Sequence, residues 1–270
     1  MTTQPVALVT GASSGIGKAA ALALVDRGFR VVGTSRTASR VTAPAGTTFF
    51  DLDVSRDDSV HALVGQVIAR FGRIDVLVNN AGIGAAGAVE EMSVEQHQRV
   101  LDVNVLGVIR MSKAVLPVMR AQGGGRIINV SSLLGLVPQP FMAAYVASQH
   151  AVEGFSESLD HEVREHGVRV VLVEPAYTST AFDSNAVVAD DPQPVYAPRR
   201  VVFDEVLGEA MKDGDAPTVV AKTIVAAATD PKPRLRYTAG ARAGRVSTLR
   251  RIAPARLFDG QIRKLNRMAG

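Results

Sequence analysis

An α/β fold built on a doubly wound parallel sheet is what this 270-residue chain predicts, and three observations carry that expectation. Six short runs rich in β-branched residues, VALVT, RVVGTS, TTFFDL, DVLVNN, RIINVSS and VRVVLVEP, recur between residues 6 and 175. Stretches with helical or loop character separate them, and the runs are continuously apolar, as strands covered by helices on both faces must be. A seventh run, LRYTAG, comes late in the chain, so about seven strands are expected.

Each element has a local reason. The first run leads into Thr10-Gly11-Ala12-Ser13-Ser14-Gly15-Ile16-Gly17 and then an alanine-rich helix. Ser55 with Asp58, and Ser93 with Gln96, have the spacing of capping boxes at helix starts, and Pro175 ends the sixth strand. A helix is expected from about residue 216 to 228. Residues 183–200 carry acids at 183, 190 and 191 and prolines at 192, 194 and 198, which reads as a surface loop. We expect one domain over 1–270, with a substrate loop at about 183–215 and a basic tail at about 240–270.

Composition narrows the chemistry. The chain is 47% hydrophobic, enough for a large core. It has no cysteine, which excludes disulfides, a thiol nucleophile and thiolate metal sites. Its five histidines, at 61, 97, 150, 161 and 166, have no metal-ligand spacing, so no metal is expected. There is no leader-like N-terminus and no apolar run of membrane-spanning length, so a soluble cytoplasmic protein is expected. Residues 232–270 hold 11 Lys and Arg against the single Asp259, a net of +10, while residues 1–231, with 19 basic and 25 acidic side chains, are net −6. The tail, with Leu249, Ile252, Leu257, Phe258, Ile262 and Leu265 among its arginines, suits an amphipathic helix. Packing on the domain or on another subunit is favoured over contact with an anionic membrane, and no aromatic platform supports nucleic-acid binding.

The glycine turn between strand and helix reads as a dinucleotide site, because glycines let the backbone approach a pyrophosphate set against the helix N-terminus. An NAD site would carry an acid about 20 residues on. No acid occurs between Arg27 and Phe50, and the second strand ends in Thr34-Ser35-Arg36, with Arg40 nearby. A guanidinium there favours a 2′-phosphate by about 1.5–3 kcal/mol, so NADP(H) is the expected cofactor.

The fourth strand ends in Asn79-Asn80-Ala81-Gly82 and the fifth in Asn129-Val130-Ser131-Ser132, thirteen residues before Tyr145. With these motifs in this order, the chain from about Pro5 to Phe182 resembles the short-chain dehydrogenases/reductases, which have a single Rossmann-type domain. The resemblance implies a cofactor site formed by Gly11, Ser13, Ser14, Gly15, Ile16, Gly17, Arg36, Asp53, Asn80, Ala81, Gly82, Tyr145, Gln149, Pro175, Thr178 and Thr180. Asp53 would contact adenine, Asn80 would neighbour a ribose, and Thr178 and Thr180 would hold the nicotinamide carboxamide. The turn Pro175-Ala176 departs from the family's Pro-Gly. The catalytic positions fall on Asn104, Ser132, Tyr145 and Gln149: serine orients the carbonyl, tyrosine transfers the proton and asparagine supports a water relay. Residues expected to face the substrate are Ser132, Leu133, Leu134, Val137, Phe141, Met142, Tyr177 and Phe182, which suits an apolar ketone or secondary alcohol. Family members are commonly homodimers or homotetramers, and the same is expected here.

Gln149 stands where the family has lysine, one helical turn after the tyrosine. An amide can donate a hydrogen bond but carries no charge. A cation about 5 Å from a tyrosinate, at an effective dielectric of about 20, is worth roughly 3 kcal/mol, a hundredfold in tyrosinate population. Three readings follow. Gln149 is an engineered or selected substitution in an active reductase; or it marks a natural variant with slow or redirected chemistry; or the protein is a catalytically silent NADPH-binding sensor or partner subunit.

Overall fold

The computed structural model describes residues 4–180, 182 and 185–268. In chain order the elements are β1 (Val6–Val9), α1 (Gly15–Asp26), β2 (Arg30–Ser35), β3 (Thr47–Asp51), α2 (Asp57–Phe71), β4 (Val76–Asn79), β5 (Ala85–Ala86), α3 (Val94–Leu101), α4 (Gly107–Ala121), β6 (Gly125–Val130), α5 (Ala143–Val163), β7 (Val168–Pro175), β8 (Val187–Val188), α6 (Ala197–Lys212), α7 (Pro217–Thr229), β9 (Arg236–Ala239), α8 (Ala241–Ile252) and α9 (Ala255–Leu265). Among the described residues, seven strands form one parallel sheet in the order β3-β2-β1-β4-β6-β7-β9. The order reverses direction at β1 and β4, and the crevice beyond their carboxyl ends is where doubly wound folds place ligands.

Strand periodicity divides the core. Val6 and Leu8 face a layer with Val60, Leu63, Met111 and Val115, from α2 and α4. Ala7 and Val9, one residue out of phase, face Ala20, Ala21, Leu24, Val220 and Ile224, from α1 and α7. All of these side chains are essentially without solvent contact. The alanines of α1 let α7 approach closely.

The two expected capping boxes fare differently. Ser93 caps α3, its Oγ accepting from Gln96 N at 3.3 Å, but the Gln96 side chain turns away to donate to Val188 O at 2.7 Å. Ser55 caps nothing. Its hydroxyl donates to Asp53 Oδ1 at 2.6 Å, and α2 starts later, with Asp57 and Asp58 in its first turn complementing the helix N-terminus.

The expected substrate loop is largely ordered structure. β8 pairs in parallel with β5, Ala85 opposite Val187 and Ala86 opposite Val188, and α6 occupies most of the second half of the segment. Glu91, completely buried, anchors it: Oε1 accepts from Gln193 N at 2.8 Å and pairs with Arg200, while Oε2 accepts from Ala88 N at 3.1 Å. Burial alone would raise this carboxyl, but those donors hold it below the usual carboxylate range. Pro198, which reads as a loop residue, sits in the first turn of α6, where proline is tolerated. Asp183, part of the expected loop, lies outside the described residues.

The basic tail is two helices, broken at Ala253-Pro254, since proline disfavours helix at the residue before it. Phe258 and Ile262 of α9 pack into the apolar cluster that also holds Leu133, Leu134, Val137 and Phe203, while Ile252 and Leu257 remain exposed.

Candidate functional site

The crevice beyond β1 and β4 opens into a cavity of about 570 Å³, within the range of small-molecule and cofactor sites. Thr10 lies buried just behind its lining. Thr10 Oγ1 accepts from Asn80 N at 2.9 Å and Ala81 N at 3.0 Å, which joins the turns after β1 and β4. Asn80 Nδ2 donates to Thr10 O and Gly11 O, so this side chain braces the glycine turn. Gly11 and Gly15 have φ of +64° and +52°, a region side chains disfavour. Ser14 opens α1 in extended conformation without a side-chain cap, leaving the first-turn amides for an anion. These features fit a pyrophosphate.

Gly17 does not line the cavity; it lies behind the turn, where a Cβ would run into Gly11 O and the Asn80 amide. Gly17→Ala is therefore expected to displace the turn and weaken nicotinamide-cofactor binding by more than about tenfold, measured by fluorescence titration.

At the end of the cavity beside β2 and β3, Arg36 and Asp53 both line it. Burial raises the Asp53 carboxyl, but the Ser55 hydroxyl and amide, Arg36 and Arg56 outweigh it and hold it below its ordinary value. Arg40 faces a separate small cavity with Lys18.

At the other end α5 carries Tyr145 and Gln149, 8% and 7% exposed. Gln149 Nε2 donates to Tyr145 Oη at 2.8 Å. Ser132 follows β6; its Oγ accepts from Leu134 N at 3.1 Å, and it shares the cavity wall with Tyr145. Asn104 lies in a π-helical turn, Asp102–Leu106, between α3 and α4. Its Oδ1 accepts from Ile83 N at 2.9 Å, and its Nδ2 donates to Ile83 O at 2.9 Å and Ser148 Oγ at 3.0 Å, so Asn104 locks the segment after β4 to the residue preceding Gln149.

The apolar wall includes Leu133, Leu134, Met142, Tyr177 and Phe182, and Phe182 stands edge-on to Tyr145 with ring centroids 5.8 Å apart. Pro175, Thr178 and Thr180 line the side beyond β7. Ser13, Ser14, Ile16, Ala81 and Gly82 also fall on the cavity surface. Val137 and Phe141 do not: both pack one layer behind, Phe141 against Phe203 at 5.6 Å between ring centroids. Leu207 and Met211 of α6 take part in the wall instead. The spacing Phe203, Leu207, Met211, four residues apart, was the available signal for that helix.

Sequence reasoning also missed a buried acid cluster beneath the site. Glu153 follows Gln149 by one turn of α5, and Arg236 of β9 bonds both Glu153 and Glu174, the latter at 2.6 Å.

The short chain dehydrogenase family profile matches residues 5–190 of this chain. The chain belongs to that family. Like its relatives it is an oxidoreductase. It is 37% identical over 258 residues to the putative oxidoreductase SadH of Mycobacterium tuberculosis, spanning 92% of this chain and 90% of that one. It is 42% identical over 185 residues to the 3-ketodihydrosphingosine reductase of Bacteroides thetaiotaomicron, spanning 68% of each. A short-chain dehydrogenase structure from Streptomyces avermitilis superposes with a TM-score of 0.84 at 32% identity, covering 99% of this chain and 98% of that one. Among the described residues, no helix is long and apolar enough to cross a membrane.

Proposed function

We propose that this protein is an NADPH-dependent reductase of apolar ketones, with Tyr145 as proton donor and Gln149 as the neutral neighbour that orients it. The carrying observation is the 2.8 Å hydrogen bond from Gln149 Nε2 to Tyr145 Oη inside an apolar cavity that also holds Ser132. Arg36 would hold the 2′-phosphate, the glycine turn the pyrophosphate, and Thr178 and Thr180 the carboxamide. When bound, the cofactor supplies a hydride to the carbonyl carbon. Ser132 hydrogen-bonds the carbonyl oxygen, and Tyr145 gives its proton to that oxygen as negative charge develops there.

The amide donor suits this direction more than the reverse. Reduction starts from protonated tyrosine, whereas alcohol oxidation needs tyrosinate as base from the outset, and a neutral amide stabilises that anion far less than an ammonium. The Bacteroides relative is by its name a reductase of a keto compound, which supports a ketone substrate. The apolar wall adds the preference for alkyl chains.

Ketones of increasing alkyl length, assayed with NADPH, test the reading. Each buried methylene is expected to raise kcat/KM about fourfold until the cavity is filled. Tyr145→Phe is expected to lower kcat by at least about a hundredfold with NADPH affinity within about twofold. A ketone series with no length dependence would refute the apolar pocket.

A further inference from the structure

The cluster beneath the site touches three segments that the proposed reaction uses. Tyr145, Gln149, Glu153 and Glu157 occupy one face of α5 at four-residue intervals. Glu153 is 5% exposed and Glu174 fully buried. One guanidinium serves them all: Arg236 Nη1 pairs with Glu153 Oε2 and, at 2.6 Å, with Glu174 Oε1, while Nη2 reaches Glu157 Oε1 at 2.7 Å. Glu174 directly precedes Pro175, where β7 ends beside the cavity.

The far side of Glu153 meets the serine turn. Ser132 O accepts from Gly135 N at 2.9 Å, closing the turn that carries Ser132. A Cβ placed on Gly135 would lie 2.8 Å from Ser131 Oγ and 3.1 Å from Glu153 Oε1, so these two oxygens meet directly under that turn. Among the described residues, Ser131 Oγ and Glu153 Oε1 face each other without a well-aligned hydrogen bond, and Glu174 Oε2 has none. Two buried carboxylates sharing one cation are a poor arrangement when both are ionised.

We infer that Glu153 is a positioning residue that holds the Ser131–Gly135 turn, and with it Ser132, in one arrangement when neutral, and shifts the turn when it ionises against Glu174. The inference rests on the reductase reading for its kinetic consequence. A proton on Oε1 turns an orphaned acceptor into a donor for Ser131 Oγ. Loss of the proton sets a second buried charge against Glu174 and reverses the bond, the Ser131 hydroxyl then donating to Oε1.

The groups acting on Glu153 are Glu157 on its own helix, Glu174 from β7, Arg236 from β9 and the Ser131 hydroxyl after β6. Arg250 of α8 reaches only the outer side of the same turn, at Leu136 O, 3.2 Å away. Burial first, then Glu174, pushes the Glu153 carboxyl up to about 7, against the opposing effect of Ser131 and Arg236. A raised carboxyl stabilises the fold below its unfolded value, near 4.5, and that contribution is lost as pH rises through about 7. Turnover is expected to fall over the same window.

The test measures kcat, KM and NADPH affinity from about pH 5.5 to 9 for the wild type, Glu153→Gln and Ser131→Ala, with an alkyl ketone that the wild type reduces. Glutamine keeps the volume and a donor for Ser131 but cannot titrate. The expected result is a wild-type kcat that falls several-fold through about pH 7, a flat kcat in Glu153→Gln, and NADPH affinity within about twofold throughout. Ser131→Ala should lose most of the same pH dependence, which covers the case of a Glu153 variant that does not fold. A Glu153→Gln profile identical to the wild type would overturn the inference. If no ketone is turned over, the reductase reading fails separately. Carbon NMR of glutamate-labelled protein then decides: a carboxyl titrating near pH 7, absent in Glu153→Gln and accompanied by a shift of the Ser132 amide, supports the positioning role, and its absence refutes it.

Discussion

Gln149→Lys is expected to raise ketone reduction by at least about tenfold and alcohol oxidation by about a hundredfold. The two factors differ because the charge acts on different states. In oxidation tyrosinate must exist before the reaction, so the full Coulomb contribution of roughly 3 kcal/mol, for a cation about 5 Å away at an effective dielectric of about 20, appears in the rate. In reduction the anion only develops in the transition state, and about half of that energy is realised. The present contact, Gln149 Nε2 2.8 Å from Tyr145 Oη, shows that a side chain at this position reaches the hydroxyl, and the longer lysine is expected to set its charge about 5 Å away. A lysine there would be nearly buried, 7% exposed as Gln149 is now, so part of its benefit would be offset by desolvation. Steady-state rates with NADPH and ketone, and with NADP and alcohol, measure both factors. If NADPH binds yet both forms are inert in both directions, the silent binding-protein reading replaces the reductase reading.

The parts legible from sequence are those whose physics is local. The sheet could be read because a two-sided strand must be apolar throughout, and the seven described strands of the main sheet fall on the seven runs. The glycine turn could be read because backbone geometry restricts residue type, and Gly11 and Gly15 do take positive φ. What escaped was created by long-range contact. Residues 183–215 look irregular because nothing in their composition reveals that Glu91, a hundred residues earlier, anchors Gln193 and Arg200. Val137 and Phe141 were expected at the substrate wall because they are apolar neighbours of Ser132 and Tyr145, but the chain folds them one layer back against Phe203 and sends Leu207 and Met211 forward. Glu153 and Glu174 read as ordinary helix and strand-end polar residues until Arg236, from the last strand, brings them together. Asn80 keeps its place on the cavity surface, yet its side chain is spent on bracing Thr10 and Gly11.

Arg36→Asp is expected to weaken NADPH by about one to two powers of ten through loss of the charge-assisted contact alone, with repulsion of the 2′-phosphate adding to it. NADH has no phosphate at that position and loses nothing from the missing guanidinium. The new carboxylate would stand where NAD-binding folds keep an acid for the ribose hydroxyls, so NADH affinity should hold or improve. Removing Arg36 also withdraws one of the charges that keep the Asp53 carboxyl low, and placing an acid there reverses its sign, so Asp53 should titrate higher in the variant. Because Arg36 is exposed, the wild-type preference for NADPH should shrink as salt is raised, and the variant's should not. Arg40 provides the control. It faces the small cavity with Lys18 and not the main one, so Arg40→Ala should change the ratio of the two affinities by less than about threefold. Fluorescence titration of both cofactors against the three proteins measures these ratios, and equal losses of NADPH and NADH in Arg36→Asp would show that Arg36 is a solvated loop charge with no role in cofactor choice.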